Sequence, residues 1–376
     1  MCGDAFLLTN FKNYHLAATY LPGVHRYIFK DLTAEEVQVI KDSGIYIYRF
    51  CDKIVNILPD ILKTYLLWFG QFIDNPNVPW IGSHPNPLQE WANVNMIKLG
   101  NGYEWKKREH QTLLNIDKNL IQSGDFFSLI RFNGNDVAVQ YGSGSHSGHA
   151  TMALWIDDEL YILESNVNKG WPKGGLQKNK WEDWLQYTQD AGDHVTWMPI
   201  RQDLRDKFDA EATLEWFNSV EGMPYGFENF LYGWIDTPND NTPKILDPNW
   251  LPALFPIVEK VSSKGGILFA PAMNKRVGTE GLDIYQIAEI LAQKNMTWGD
   301  LFAMVEQDGW IYDGHYSYVC SAFVVALWKA GGLFDGMEIN AVEFTPKDIY
   351  QMDWIDKDYD FPPECREANP DAEFCQ

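Results

Sequence analysis

Tyr318-Val319-Cys320-Ser321-Ala322-Phe323-Val324-Val325-Ala326-Leu327-Trp328 is the stretch on which the fold turns. One cysteine opens an unbroken apolar run that stops at Gly331-Gly332. Such a run reads as a buried helix with a glycine stop. A thiol at its first turn meets exposed backbone N–H groups and the positive end of the helix dipole, and both favour the nucleophilic thiolate. A structural cysteine would carry the same run, so a base is needed elsewhere. Ser145-His146-Ser147-Gly148-His149-Ala150-Thr151-Met152 supplies it. His149 opens a strand at its loop end and is the first candidate base. His146, in the preceding Gly/Ser loop, is the second.

Around this pair the chain divides by character. Residues 1–118 read as mainly helical, with a helix starting at Thr33-Ala34-Glu35-Glu36 and an amphipathic helix over 54–73. Residues 75–87 read as loop. From Ser123-Gly124-Asp125 onward strands dominate. Phe126–Phe132 and Val137–Tyr141 are expected to pair across an Asn133-Gly134-Asn135 turn. Residues 149–156 and 160–164 form a second expected hairpin, around Asp157-Asp158-Glu159. Helices are expected over 180–187 and 209–220, with a strand at 195–198 between them. A Pro/Asn-rich insertion follows, from Thr237 to about Pro271. Helices at 282–293 and 298–307, the second opened by a Thr297/Asp300 cap, lead to Cys320. The domain plan is therefore a helical region 1–118, a catalytic domain 119–355 with an insertion at 237–315, and a polar tail 356–376.

Strand parity selects the third residue. If the second hairpin has a two-residue turn, even-numbered residues of its second strand share the face of His149. Glu164 and Asn166 are then the candidates to orient the imidazole; a three-residue turn would favour Ser165. Glu164 leads because it closes the apolar run Tyr161-Ile162-Leu163, where a carboxylate needs a partner. The backbone N–H of Cys320 and the hydroxyl of Tyr225, held between Pro224 and Gly226, are the candidate oxyanion donors.

The ordered set of Gly124-Asp125, Gly148-His149, Leu163-Glu164-Ser165, Gly222-Met223-Pro224-Tyr225 and Tyr318-Val319-Cys320-Ser321 resembles the circularly permuted papain-like superfamily. This is the permuted, YiiX-like branch of the NlpC-type peptidases, in which the histidine strand precedes the cysteine helix. Phe344-Thr345-Pro346-Lys347-Asp348-Ile349 resembles the Thr-Pro segment that follows that helix. The likeness spans roughly residues 119–355. It implies an α+β fold with a central antiparallel sheet, the Cys320 helix packed on it and His149 facing the thiol. It implies thiolate attack on a carbonyl and an acyl-enzyme resolved by water or another acceptor, with Cys320, His149, Glu164 and Tyr225 at the site and neither metal nor organic cofactor.

Composition narrows the partners. A net charge of −22 opposes phosphate-mediated nucleic-acid binding and anionic membrane surfaces. The 45% hydrophobic content is ample for a core, and no run reaches the length of a spanning helix. A peptide or amide substrate is expected. Lipid esters or amides, acyl transfer, and a non-catalytic binding role using some of the sixteen tryptophans are the alternatives. Met1-Cys2-Gly3 offers a further reading as an N-terminal nucleophile, but the residues after Gly3 do not extend it. No secretory signal is evident, which favours the cytosol. A Cys365–Cys375 bond would favour secretion or an endomembrane lumen.

Overall fold

The computed structural model describes residues 2–9, 12–16, 27–51 apart from 31 and 44, and 91–106 apart from 92, 96, 99 and 100. It further describes 116–226 apart from 132, 133 and 167–173, then 263–312 apart from 303 and 311, 318–359, 361, 363–368 and 372. The expected helix over 54–73 and the loop over 75–87 lie outside the described residues.

The chain is α+β, built on two antiparallel sheets. The first contains β1 (Cys2–Thr9), β2 (Lys12–Leu16) and β3 (Tyr46–Cys51) in the order β2-β1-β3, with helix α1 (Ala34–Ser43) between β2 and β3. The mainly helical reading of 1–118 does not hold for residues 2–9, 12–16 and 46–51, which are strands. Tyr46, Ile47, Tyr48 and Phe50 are strong strand formers, and they pair along β1 from Leu8 to Asp4. The helix start at Thr33-Ala34 is present as α1.

The second sheet positions the site. It contains β4 (Phe126–Ile130), β5 (His149–Ile156), β6 (Glu159–Asn166), β7 (Gly175–Lys180) and β8 (His194–Met198), ordered β7-β6-β5-β4-β8. Helix α2 (Gly134–Ser143) joins β4 to β5, where a hairpin with a strand at 137–141 was expected. Val137 and Tyr141 lie four apart, on one helical face, and pack with Ile97, Trp105 and Ile130. That packing outweighs the short alternation that reads as a strand. The β5–β6 turn is the two-residue form, with Asp157 and Asp158 at φ 49° and 62°, the type I′ geometry that matches strand twist.

Helix α3 (Trp181–Ala191) covers one face of this sheet, against Phe127, Leu129, Ala153 and Ile162. After β8 come α4 (Gln202–Arg205) and α5 (Ala210–Val220). Helices α6 (Ser263–Val277), α7 (Ile284–Gln293) and α8 (Trp298–Phe302) surround a core of their own, including Met273, Ile287, Leu291 and Leu301. Residues 263–271, expected as the end of a Pro/Asn-rich insertion, are helical and carry Pro271 within α6. The last of these helices ends at Phe302 rather than Gln307, and Glu306 turns inward to Arg276 at 2.6 Å.

Helix α9 (Cys320–Ala330) fills the other face of the sheet with Phe126, Met152, Leu154 and Leu163. It is apolar all round, and every side chain from Cys320 to Trp328 is buried, as a helix sandwiched in a core requires. Helices α10 (Pro346–Gln351) and α11 (Pro363–Ala368) close the chain. The tail is not merely polar. Cys365 and Ala372 belong to the α9 core, and Asp356 donates its N–H to Pro199. Among the described residues no helix is long and apolar enough to cross a membrane.

Candidate active site

Strand β6 stays paired with β7 as far as Asn166–Gly175, whereas its pairing with β5 ends at Thr151–Glu164. This divergence opens a notch between β5 and β6, and the first turn of α9 enters it. The N–H of Ala150, one rung beyond the last pair, donates to the Cys320 sulfur instead of to β6. The sulfur therefore lies against the peptide that joins His149 to Ala150. The N–H of Ser321 and the Tyr225 hydroxyl also donate to it.

Tyr225 reaches the sulfur because its segment is sewn down on both sides. Gly222 N–H donates to Leu176, Leu176 N–H to Met223, and Gly226 N–H to Tyr318, at 2.8, 2.8 and 3.1 Å. Gly175, at φ +92°, makes this approach possible: a Cβ there would stand 2.3 Å from the Met223 carbonyl oxygen. The Ser165 hydroxyl donates to the Tyr318 carbonyl at 2.6 Å and fixes the entry to α9 from the β6 side. The expected oxyanion donor Tyr225 thus sits on the Cys320 sulfur.

His149 and Glu164 meet across the β5–β6 pair, with Nε2 3.0 Å from Oε2. Both are buried. The Asn179 amide donates to the other Glu164 oxygen at 2.8 Å. Burial lowers the imidazole pKa, the Arg131 charge adds to this, and Glu164 opposes it. A neutral ring whose Nε2–H bonds Glu164 keeps Nδ1 as its acceptor. Asn166 lies at the end of β6, opposite Gly175, and Ser165 serves Tyr318. His146 stacks on Tyr103 at 3.6 Å and donates its backbone N–H to the Tyr350 hydroxyl.

The two halves approach the strand from different sides. His149 is cross-strand from Leu129, and Leu129 belongs to the core under α3. Ala150 and Met152 belong to the α9 core. Alternation places the His149 side chain on the α3 face and Cys320 on the other, against the expectation that His149 faces the thiol.

Helix-end donors do not produce a resting thiolate. Burial pushes the Cys320 thiol up to about 12, the nearby Asp136 charge pushes in the same direction, and the N–H and hydroxyl donors only partly offset this. Sequence reasoning missed Asp136, which directly follows the residues read as a turn and is pushed by burial to about 7. It also missed Asn179, on a strand whose sequence Gly175-Leu176-Gln177-Lys178-Asn179-Lys180 has no apolar alternation. The buried ion pair of Arg131 with Asp193, at 2.8 Å, lies on the His149 side.

Among the described cysteines Cys320 is free and buried, whereas Cys365 is disulfide-bonded. Cys375, its expected partner, lies outside the described residues. No protein-family profile, no curated protein and no solved structure matches this chain.

Proposed function

We propose that the chain is a cysteine-dependent hydrolase, a peptidase or amidase of permuted papain-like type, acting through Cys320 and an acyl-enzyme. The observation that carries this reading is the Cys320 sulfur at the head of α9, held in the β5–β6 notch against the peptide following His149. The His149–Glu164–Asn179 chain supports it, because it fixes a neutral imidazole with Nδ1 as proton acceptor. In this mechanism the His149 ring first swings from the α3 face to the Cys320 side of β5, and the S–H proton then passes to it as sulfur bonds the substrate carbonyl carbon. The proton then goes to the leaving amine as the C–N bond breaks. Water completes the cycle by freeing the acid and restoring the thiol. Tyr225 moves its hydroxyl from sulfur to the carbonyl oxygen as charge develops there.

Acyl transfer and hydrolysis of lipid esters or amides use the same steps with a different acceptor or acyl group. One observation favours a non-catalytic protein on this fold: the resting thiol is buried and pushed up to about 12, with His149 on the opposite sheet face. Labelling with a cysteine-directed activity probe, with Cys320→Ala as control, followed by a peptide and lipid-amide panel, tests the reading. Turnover that survives in Cys320→Ala rules out this nucleophile. The compartment belongs to the proposal as well. The disulfide at Cys365 favours an oxidising lumen or secretion over the cytosol.

A further inference from the structure

Gly148 precedes His149, so a side chain there would leave β5 on the face that α9 covers. Asp136 of α2 fills that space. A Cβ on Gly148 would stand 2.5 Å from the Asp136 Cβ and 2.9 Å from its Oδ2. The backbone N–H of Arg131 donates to the same carboxyl. The Cys320 sulfur, bonded to Ala150, is two residues along the same strand. Carboxyl and thiol thus meet at one end of one strand, and charge on Asp136 acts on both Cys320 and Tyr225.

We propose that the Asp136 carboxyl tunes the ionisation of Cys320: charged, it adds to the burial that holds the sulfur as a thiol, and protonated, it removes that added penalty. Asp136 is in this sense a positioning residue, and its role rests on Cys320 being the nucleophile of the preceding section. Like charges in one desolvated site oppose one another. The charged groups on the elements around Asp136 are Arg131 at the end of β4 and Asp193 before β8, with Cys320 on α9 and Tyr225 beyond it. Burial raises the carboxyl to about 7, Arg131 works against that rise, and Asp193 adds to it. The carboxyl therefore changes charge near neutral pH. Thiol reactivity then climbs with pH less steeply than one proton per unit through that range.

The test is alkylation by iodoacetamide, in which the S–C bond forms, iodide leaves and the thiol proton goes to solvent. Rates at Cys320, read by peptide mass on the full chain, are compared from about pH 5.5 to 9 in the parent and in Asp136→Asn. The parent profile should bend below unit slope near pH 7. The variant should keep unit slope and react about tenfold faster at pH 8, the effect of one unit of thiol pKa. Coincident profiles of unit slope overturn the proposal and leave the nucleophile in place. Cys320 unlabelled in both proteins at every pH overturns the nucleophile reading and this one with it. Should Asp136→Asn fail to fold by circular dichroism, the parent profile decides alone, and unit slope throughout overturns the proposal.

Discussion

At Cys320 three donors converge on one sulfur, yet the thiol stays protonated. Backbone and hydroxyl hydrogen bonds stabilise a thiolate, but removing the whole group from water costs more. The helix end favours the thiolate, and burial is the larger opposing effect. Tyr225→Phe removes one oxygen from the side chain that bonds the sulfur. It should lower turnover about 10²–10³-fold and leave the fold intact. A melting temperature that moves while turnover does not would make Tyr225 a core residue only. Parity with a two-residue turn left Glu164 and Asn166, and the apolar run Tyr161-Ile162-Leu163 put Glu164 ahead. Asn179 and Asp136 were not legible, because neither stands in a pattern that betrays burial. Replacing Glu164 by Ala strands the His149 Nε2 and the Asn179 amide in the core. Each buried orphan costs about 1–3 kcal/mol. Urea unfolding measures this, and a change below about 0.5 kcal/mol would mean that solvent reaches the pair.

Among the elements, β5, β6, β8, α5, α7 and α9 were readable because their periodicity, caps and glycine stops agree. Asp283 and Gln286 form a full capping box at α7, as do Thr345 and Asp348 at α10. The α2 helix was not readable. Asn133-Gly134-Asn135 is a strong hairpin signal, and only packing against Ile97 and Trp105, far upstream, reverses it. The first sheet was missed for a related reason: β1 finds its strand partner β3 across a long intervening segment. The position of α2 predicts the result of Gly148→Ala. The new methyl would collide with the Asp136 side chain at 2.5 Å. Shifting α2 or the start of β5 should destabilise the chain by about 1–3 kcal/mol. The same change should disturb Cys320 alkylation, because the sulfur hangs from the same strand end. Unfolding and alkylation measured together check this; a stable protein with unaltered alkylation would show that α2 yields freely. At the opposite end of β5, Asp157 and Asp158 occupy a turn that needs two positive φ values. Asp157→Asn with Asp158→Gly should stabilise by about 0.5–1 kcal/mol, read as a raised urea midpoint.

The whole molecule has more than one core, and this governs how damage spreads. The α6–α8 helices bury Arg276 against Glu306 at 2.6 Å, with both side chains 0% exposed. The Tyr312 hydroxyl donates to the same carboxylate, and Trp310 covers the guanidinium. Among the described residues the polar contacts to the sheet side are Lys329 with Asp308, Val342 N–H with Asp308, Asp308 N–H with Asn340 and Glu306 N–H with Glu343. Apolar burial on each side and polar contacts between them make two cooperative units the expected behaviour. Arg276→Met keeps most of the side-chain volume and leaves Glu306 charged and buried without its cation. Breaking one partner of such a pair costs about 3–5 kcal/mol. That loss should fall on α6, α7 and α8. Hydrogen exchange followed by mass spectrometry should then show faster exchange in those helices, while β5, β6 and α9 keep their protection. Loss of protection in all of these elements together would mean that the polar contacts couple the two cores into one folding unit, and the helices could not be treated as an insertion with its own stability.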